Sequence, residues 1–497
     1  MPHLTHAVVL GAGVAGVLAA AALADFADRI TVIERDPLPQ EPAHRAGLPQ
    51  ARHAHLLWSG GVRAVDQLLP DTIDGLVDRG AHRINVGADF VCLTAHGWLP
   101  RVAGTDFAIT CTRDLLNWHL LDRVRQLPQV RIRDGADVVG LTGGPGRVTG
   151  VQVHDRGSDT TEQISADLVV DATGRGSRAK QWLAALGVPG ADAVREQVID
   201  AGLTYVTRIF HAPDQAANGF PLVSVQTDVP TNGPGKSASL VPIEGSRWLV
   251  TLAGTRGHEP PHDEAGFLDF ARTRVRHPVI ADLVSGLSPA TPIYTSHSTS
   301  NRRLYFERLR QWPDGFVVLA DALATFNPIY GQGMSAAART CLALRARVQS
   351  RGVRTGSGRG LQRAMARTVQ GTWDMATGVD VFYPHAGDVS PSLAERLSLI
   401  YVNRVIRAAI DRDDVAAAFL EVVSLSAPPT RLASPSVLLA ALRPHRGSAR
   451  ASAKPTLTDD ELRRAFVDRP ARGMGRLTAS GGSPTGAEGA DQHPAGD

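Results

Sequence analysis

Apolar positions open the chain in a pattern that changes period. His6-Ala-Val-Val-Leu10 is a short β-branched run, an alanine-rich stretch follows to about Ala27, and Arg29-Ile-Thr-Val-Ile-Glu34 returns to the strand pattern. The opening therefore reads β-α-β. Pro, His and Arg dominate from Pro37 to Gly61, as in a long functional loop, and Trp118 to Leu127 has helical character. Short strands separated by glycine turns are predicted at Val130–Arg133, Val138–Leu141 and Val148–Val153, with a buried strand at Ala166–Asp171. Alternating runs then recur at Leu203–Phe210, Leu222–Thr227, Ala238–Ile243 and Trp248–Leu252, which predicts an antiparallel sheet inserted into the first domain. Gly315 to Asp321 resumes the earlier style, Gly331 to Gln349 reads as a helix, and residues 360–445 look mostly helical. Beyond about His445 a tail rich in Ser, Gly, Pro and Ala is expected to be disordered.

Composition narrows the class. The 497 residues suggest two or three domains, and 43% apolar with 20% charged residues is a globular balance that excludes wholesale disorder. Of 52 basic residues only Lys180, Lys236 and Lys454 are lysines, the net charge is +3, and no arginine block forms a stripe, so nucleic acid is not an expected partner. Cys92, Cys111 and Cys341 lie far apart, which excludes a disulfide framework and favours a reducing cytoplasm. Val8 to Ala24 lacks a positively charged flank and is mostly Ala, Gly and Val, so neither a signal peptide nor a membrane span is expected.

The candidate chemistry lies in two segments. Gly11, Gly13 and Gly16 satisfy GxGxxG between a strand and a helix: the first glycine permits a tight turn, the second lets backbone approach a pyrophosphate, and the third lets helix and strand pack closely. Glu34 closes the second strand, where a carboxylate can accept from a ribose hydroxyl. Further on, Asp321 ends an apolar strand and Asn327-Pro-Ile-Tyr-Gly331-Gln-Gly333-Met334 opens a helix. An aspartate there can bind ribityl hydroxyls while the helix N-terminus faces a flavin and stabilises negative charge on its reduced form. His53 and His55 stand two apart, with His44 nearby, which fits one metal poorly, so no metal site is expected. Trp373, Asp374 and Asp380 read as structural contacts of a helix.

Together with Arg45-Ala-Gly47, Arg113 and Ala172-Thr-Gly174, these motifs resemble the single-component FAD-dependent monooxygenases of the para-hydroxybenzoate hydroxylase fold, over residues 1 to about 440. Arg45 to Trp58 and Asn301 to Gly315 are similar to stretches of the actinomycete polyene epoxidases of polyether-ionophore biosynthesis, of the lasalocid and monensin type. The resemblance implies an α/β fold in which a Rossmann-like FAD-binding domain carries an inserted, mainly antiparallel substrate domain and a helical C-terminal segment. Its expected boundaries are 1–80, 111–190 and 301–350 for the FAD-binding domain, 81–110 and 191–300 for the substrate domain, 351–445 for the helices and 446–497 for the tail.

Carried over by position, Gly11, Gly13 and Gly16 hold pyrophosphate, Glu34 holds the adenosine ribose, Arg45 and Arg113 serve the phosphate and ribityl region, and Ala15 and Arg35 count among the cofactor-binding residues. Asp321 contacts the ribityl chain, Pro328, Gly331, Gly333 and Met334 line the isoalloxazine, and Trp58, Phe326 and Tyr330 are candidates for the substrate pocket. Two departures stand out: Ala320 replaces the usual glycine before Asp321, and the family's Asp-Gly signature survives only as Asp171-Ala-Thr-Gly174-Arg-Gly176. The implied chemistry is alkene epoxidation of a linear polyene polyketide through a flavin C4a-hydroperoxide, with non-covalent FAD, O2, and electrons from NAD(P)H directly or through a partner flavin reductase. No protein side chain is then required as a catalytic residue. Alternatives are hydroxylation of an aromatic polyketide and a flavin-dependent reductase. A flavin halogenase is disfavoured, because no two tryptophans stand two residues apart and lysine is scarce.

Overall fold

The computed structural model describes residues 3–297, 299–387, 390–443 and 455–467. Its centre is a five-stranded parallel sheet in the order Phe316–Val318, Leu168–Asp171, Leu4–Leu10, Ala27–Ile33, Val130–Arg133. These strands are near-continuous apolar runs because helices cover both faces of a parallel sheet. The helix Val14–Leu23 is buried almost all round, and its small residues let it pack between the sheet and the long helix Gly333–Arg351. The edge strand Phe316–Val318 is closed by a side chain: Gln362, on the helix Gly358–Asp380, accepts from the Val318 N–H at 2.9 Å and donates to its carbonyl at 3.1 Å. That amide pairs a strand edge that would otherwise be bare.

A second, seven-stranded sheet runs Tyr294–Ser296, Thr204–His211, Arg247–Gly254, Lys236–Ile243, Leu222–Val225, Phe90–Thr94, Gly97–Trp98. All its pairs are antiparallel except Leu222–Val225 with Phe90–Thr94. One face packs on its own core, which includes Phe220, Trp248 and Phe267. The fold is thus mixed α/β, with an antiparallel sheet added to the parallel one and helices at the C-terminal side. Those helices are Gly358–Asp380, Leu393–Asp411, Asp413–Val423 and Pro435–Leu442. No helix among the described residues is long and apolar enough to cross a membrane.

The tail departs from its expected disorder within the described residues 455–467. Thr458 and Glu461 form a reciprocal capping box at the start of the helix Asp459–Phe466. Leu462, Ala465 and Phe466 bury against the core of the second sheet, and Glu461 pairs with Arg101 at 2.7 Å. The low-complexity composition of the whole tail outweighed a local signal that was present: T-x-x-E followed by apolar residues at helical spacing. The rest of the tail lies outside the described residues.

Candidate functional site

The glycine loop divides its three glycines by physical task. Gly11 adopts φ +92°, and a Cβ there would stand 2.9 Å from the Ala172 carbonyl oxygen. At Gly16 a Cβ would stand 1.8 Å from the Gly11 carbonyl oxygen, so this glycine is required for the helix to sit against the turn. Gly13 differs from both, because a Cβ there meets nothing within 4 Å. The missing side chain opens onto free space in front of a helix N-terminus, as a phosphate cradle requires. Ala15 is partly buried, and its carbonyl accepts from the Cys341 thiol at 3.3 Å.

From this loop a series of charged side chains leads to Asp321, two arginines between two carboxylates. Glu34 accepts the Ala12 N–H at 2.7 Å and pairs with Arg45 at 2.8 Å, and Arg45 also donates to the Ala12 carbonyl at 2.9 Å. Arg45 therefore braces the glycine loop at Ala12. Arg35, beyond it, is exposed and 3.6 Å from Asp36. Arg113 follows, held to Asn117 at 2.8 Å; burial pushes its pKa down to about 10, with the charge of Asp321 opposing, so it stays cationic at neutral pH. Burial likewise raises the Asp321 carboxyl, and Arg113 and Arg175 oppose that shift. Asp321 is exposed and feels the charges of Arg113 and Arg175. Carboxylates at the two ends and arginines between them match a dinucleotide with hydroxyls outside and phosphates within.

Ala320 resolves one departure from the expected motif. It adopts φ +50°, the left-handed conformation that a glycine would take without strain. The left-handed backbone is thus present at this position with alanine in place of glycine. Gly174, at φ +74°, has the Asp321 Cβ 4.0 Å from where its own Cβ would be, so the Ala172-Thr-Gly174 turn backs onto the same carboxylate. Asp171 does not face a ligand. It is fully buried and accepts from Thr173 and Ser177, with burial raising its pKa.

Beside the segment Pro328–Gln332 lies a cavity of about 570 Å³. Its floor is the face of the seven-stranded sheet that carries Leu222, Val241 and Ala253, and its roof comes from the C-terminal helices through Tyr401, Ile406 and Phe419. The volume suits a drug-sized or larger apolar ligand. Trp58 and Tyr330 line it, joined by a hydrogen bond of 3.3 Å from the indole N–H to the Tyr330 carbonyl, and so do Pro328 and Gly331. Gly333, open like Gly13, and Met334, buried, begin the following helix. Phe326 is not among the lining residues and packs against the core of the parallel sheet. Successive residues of an extended segment point to opposite sides, so Asn327 takes the inward position and Phe326 the other.

At one end of the cavity sits a buried polar network that sequence reading missed. Asp380 Oδ2 accepts from Asn301 at 2.7 Å and Asn327 at 2.8 Å, and its Oδ1 accepts the Tyr330 hydroxyl at 2.7 Å. The Tyr205 hydroxyl donates to Asn327 Oδ1 at 3.2 Å. Burial raises the pKa of Asp380 and lifts Tyr205 and Tyr330 well above the ordinary phenol value. The helical reading of Asp380 holds, and so does its structural use, but that use is at the cavity wall. Asn301 opens the stretch Asn301–Gly315, which is the one sequence signal of this network.

His53 borders the cavity and His55 stands beside Arg113; both make hydrogen bonds, His53 to Thr207 at 2.8 Å and His55 to the His53 carbonyl at 2.7 Å. Burial, with arginine charge adding, pushes His53 down to about 4 and His55 to about 3. Both are neutral at pH 7.

Residues 4–348 match the family described as FAD binding domain. The chain is 32% identical over 396 residues to Protein Rv3254 of Mycobacterium tuberculosis, spanning 77% of this chain and 81% of that protein. It is 27% identical over 354 residues to a kynurenine 3-monooxygenase of Salinispora tropica, spanning 68% and 71%. Among solved structures, p-nitrophenol 4-monooxygenase PnpA from Pseudomonas putida DLL-E4 superposes with a TM-score of 0.57 at 15% identity, over 86% of this chain and 98% of that one.

Proposed function

The chain belongs to the FAD binding domain family, among the FAD-dependent monooxygenases, and we propose that it epoxidises alkenes of an apolar linear polyketide. The observation that carries the reading is the partly open, mainly apolar cavity running up to Pro328–Gln332, the segment that resemblance assigns to the flavin ring. When bound, FAD supplies activated oxygen from O2, using electrons that NAD(P)H provides directly or through a reductase. The open space at Gly13 and Gly333, and the line Glu34, Arg45, Arg113, Asp321, fit the group.

The work left to the protein is positional. The helix starting at Gly333 turns its positive end toward the ring site and stabilises negative charge there. Trp58, Phe90 and the roof helices keep water out and hold one alkene against the ring site. An alkene is itself the electron donor, so no side-chain base is needed. His53, neutral and tied to Thr207, serves as wall rather than acid. In this proposal residues 1–80, 111–190 and 301–350 form the FAD-binding domain, and 81–110 and 191–300 form the substrate domain.

A second reading has one observation in its favour. Hydroxylation of an aromatic polyketide gains from a group that draws the phenolic proton, and the Tyr330–Asp380 pair reaches the cavity wall. Both oxygens of Asp380 are already engaged by donors, which favours a holding role. The deciding experiment incubates the FAD-loaded protein with a flavin reductase, NADPH, and either a polyene or a polyketide phenol. Gain of oxygen at alkenes supports epoxidation. Oxygen gain only on the phenol, with hydrogen peroxide from the polyene, would sink it.

A further inference from the structure

The helix Leu393–Asp411 has two faces of different chemistry. Leu399, Val402 and Ile406, spaced three and four residues apart, line the cavity. The opposite face carries Leu393, Leu397 and Ile400 interleaved with Arg396, Arg404 and Arg407, and all six are exposed. Among the described residues, the five large apolar side chains that are more than half exposed are Leu393, Leu397, Ile400, Leu439 and Leu442. All stand on this helix or on Pro435–Leu442, which packs against it. Single surface leucines are ordinary, but a group on two neighbouring helices marks an interaction site. Residues 444–454 and 468–497 bring only Met474 and Leu477 as large apolar side chains, too few to cover it. The charge is one-sided as well. Glu395 is held in the capping box of its own helix, Glu421 pairs with Arg431, and Asp411, Asp413 and Asp414 follow at the far end from the leucines. Arg396 donates to the Pro391 carbonyl and Arg407 to His96, and neither they nor Arg404 and Arg443 pair with a carboxylate among the described residues.

We propose that this outer face seats the protein on an anionic lipid surface, from which an apolar substrate enters the cavity. The second half of that statement rests on the reading of the cavity as the substrate site. Asp374, Ser398, Pro429 and Ala433 both line the cavity and are exposed, so it opens beside the same helix, next to Leu397. Leucines interleaved with arginines suit the boundary of a bilayer, where apolar side chains enter the acyl region and guanidinium groups stay among phosphates. A second copy of the chain fits less well, because a two-fold contact through this face sets arginine against arginine. No spanning helix is needed, and none is present among the described residues. An apolar chain dissolved in a bilayer then reaches the cavity mouth without crossing water, which removes the cost of hydrating it.

The experiment floats the full-length, FAD-loaded protein with vesicles of phosphatidylcholine alone or mixed with phosphatidylglycerol. Binding is expected to be at least about ten-fold stronger on the anionic vesicles and to weaken between about 0.1 and about 1 M salt, as screening tightens. Arg396→Gln with Arg404→Gln should weaken it about ten-fold or more, and Leu397→Gln with Ile400→Gln several-fold. All four side chains are exposed and none lines the cavity, so both variants should fold, hold flavin and treat dispersed substrate like the parent. Farnesene dissolved in anionic vesicles should be oxidised several-fold more slowly by the arginine variant than by the parent. No binding to anionic vesicles, equal binding to both kinds, binding indifferent to both pairs of substitutions, or equal rates on vesicle-borne farnesene overturns the proposal. Self-association in analytical ultracentrifugation that Leu397→Gln with Ile400→Gln abolishes would assign the face to a second copy and overturn it too. Product analysis is separate: parent protein that binds vesicles but adds no oxygen to farnesene, dispersed or dissolved, counts against epoxidation and leaves the lipid seat standing.

Discussion

The Tyr330 hydroxyl donates to Asp380 at 2.7 Å, tying the segment Pro328–Gln332 to the end of the helix Gly358–Asp380. Asp380 is 2% exposed, and its other oxygen holds Asn301 and Asn327, so one buried carboxyl joins the strand at Asn301 and the segment Asn327–Tyr330 to its own helix at the cavity wall. A buried carboxylate with all its donors in place rigidifies its surroundings, whereas its removal leaves those donors unpaired.

Asp380→Ala is therefore expected to lower stability by about 2–4 kcal/mol in urea denaturation. Tyr330→Phe removes one donor and is expected to cost about 1 kcal/mol. If Asp380 only positions the ring-side segment, Tyr330→Phe keeps epoxide formation and raises peroxide leakage. If the pair relays a proton, Tyr330→Phe abolishes product on phenols alone.

The glycine loop separates cofactor binding from folding. Gly13→Val should fold normally, since a Cβ there meets nothing within 4 Å, yet be colourless because the side chain fills the phosphate cradle. Gly16→Ala should lose about 3 kcal/mol or more, because its Cβ would stand 1.8 Å from the Gly11 carbonyl oxygen. Circular dichroism with flavin absorbance distinguishes the two. A fully yellow Gly13→Val protein would be incompatible with this assignment.

At Ala320, φ +50° makes residue choice a test of backbone shape. Ala320→Gly trades relief of strain against a lost buried methyl and should stay within about 1 kcal/mol of the parent. Ala320→Val places a β-branched side chain in the left-handed region and should cost more than about 2 kcal/mol. Denaturation midpoints check both; a tolerated valine would mean that the turn is not left-handed.

His53 sets a pH dependence of stability. The unfolded chain protonates this imidazole below its ordinary value of 6.5, while the folded chain resists until about 4. Its contribution is full above pH 6.5 and is lost as pH falls from 6.5 through 4. The shift corresponds to at most about 3 kcal/mol. His53→Asn, which can still bond Thr207, should flatten that part of the stability-versus-pH curve. Parallel curves for parent and variant would show that His53 carries none of the loss.

The parallel sheet and its glycine loop were legible in the sequence because they depend on neighbours. The strand Leu4–Leu10, the turn Gly11–Gly16 and the strand Ala27–Ile33 are consecutive, so apolar run length and glycine spacing specify them locally. The strands of the second sheet from Thr204 to Gly254 announced themselves by alternation for the same reason. The helix Asp459–Phe466 was also encoded locally, yet its capping box was submerged in the composition of the tail.

Other features depended on tertiary structure alone. Asp380 meets Tyr330, Asn327 and Asn301 from 50, 53 and 79 residues away, and periodicity assigned it only to a helix. Phe326 and Asn327 are adjacent in sequence, but only the packing of the sheets decided which faced the cavity. Periodicity and turn chemistry act over a few residues, whereas desolvation, cavity shape and the pairing of buried polar groups arise only when distant segments exclude water between them.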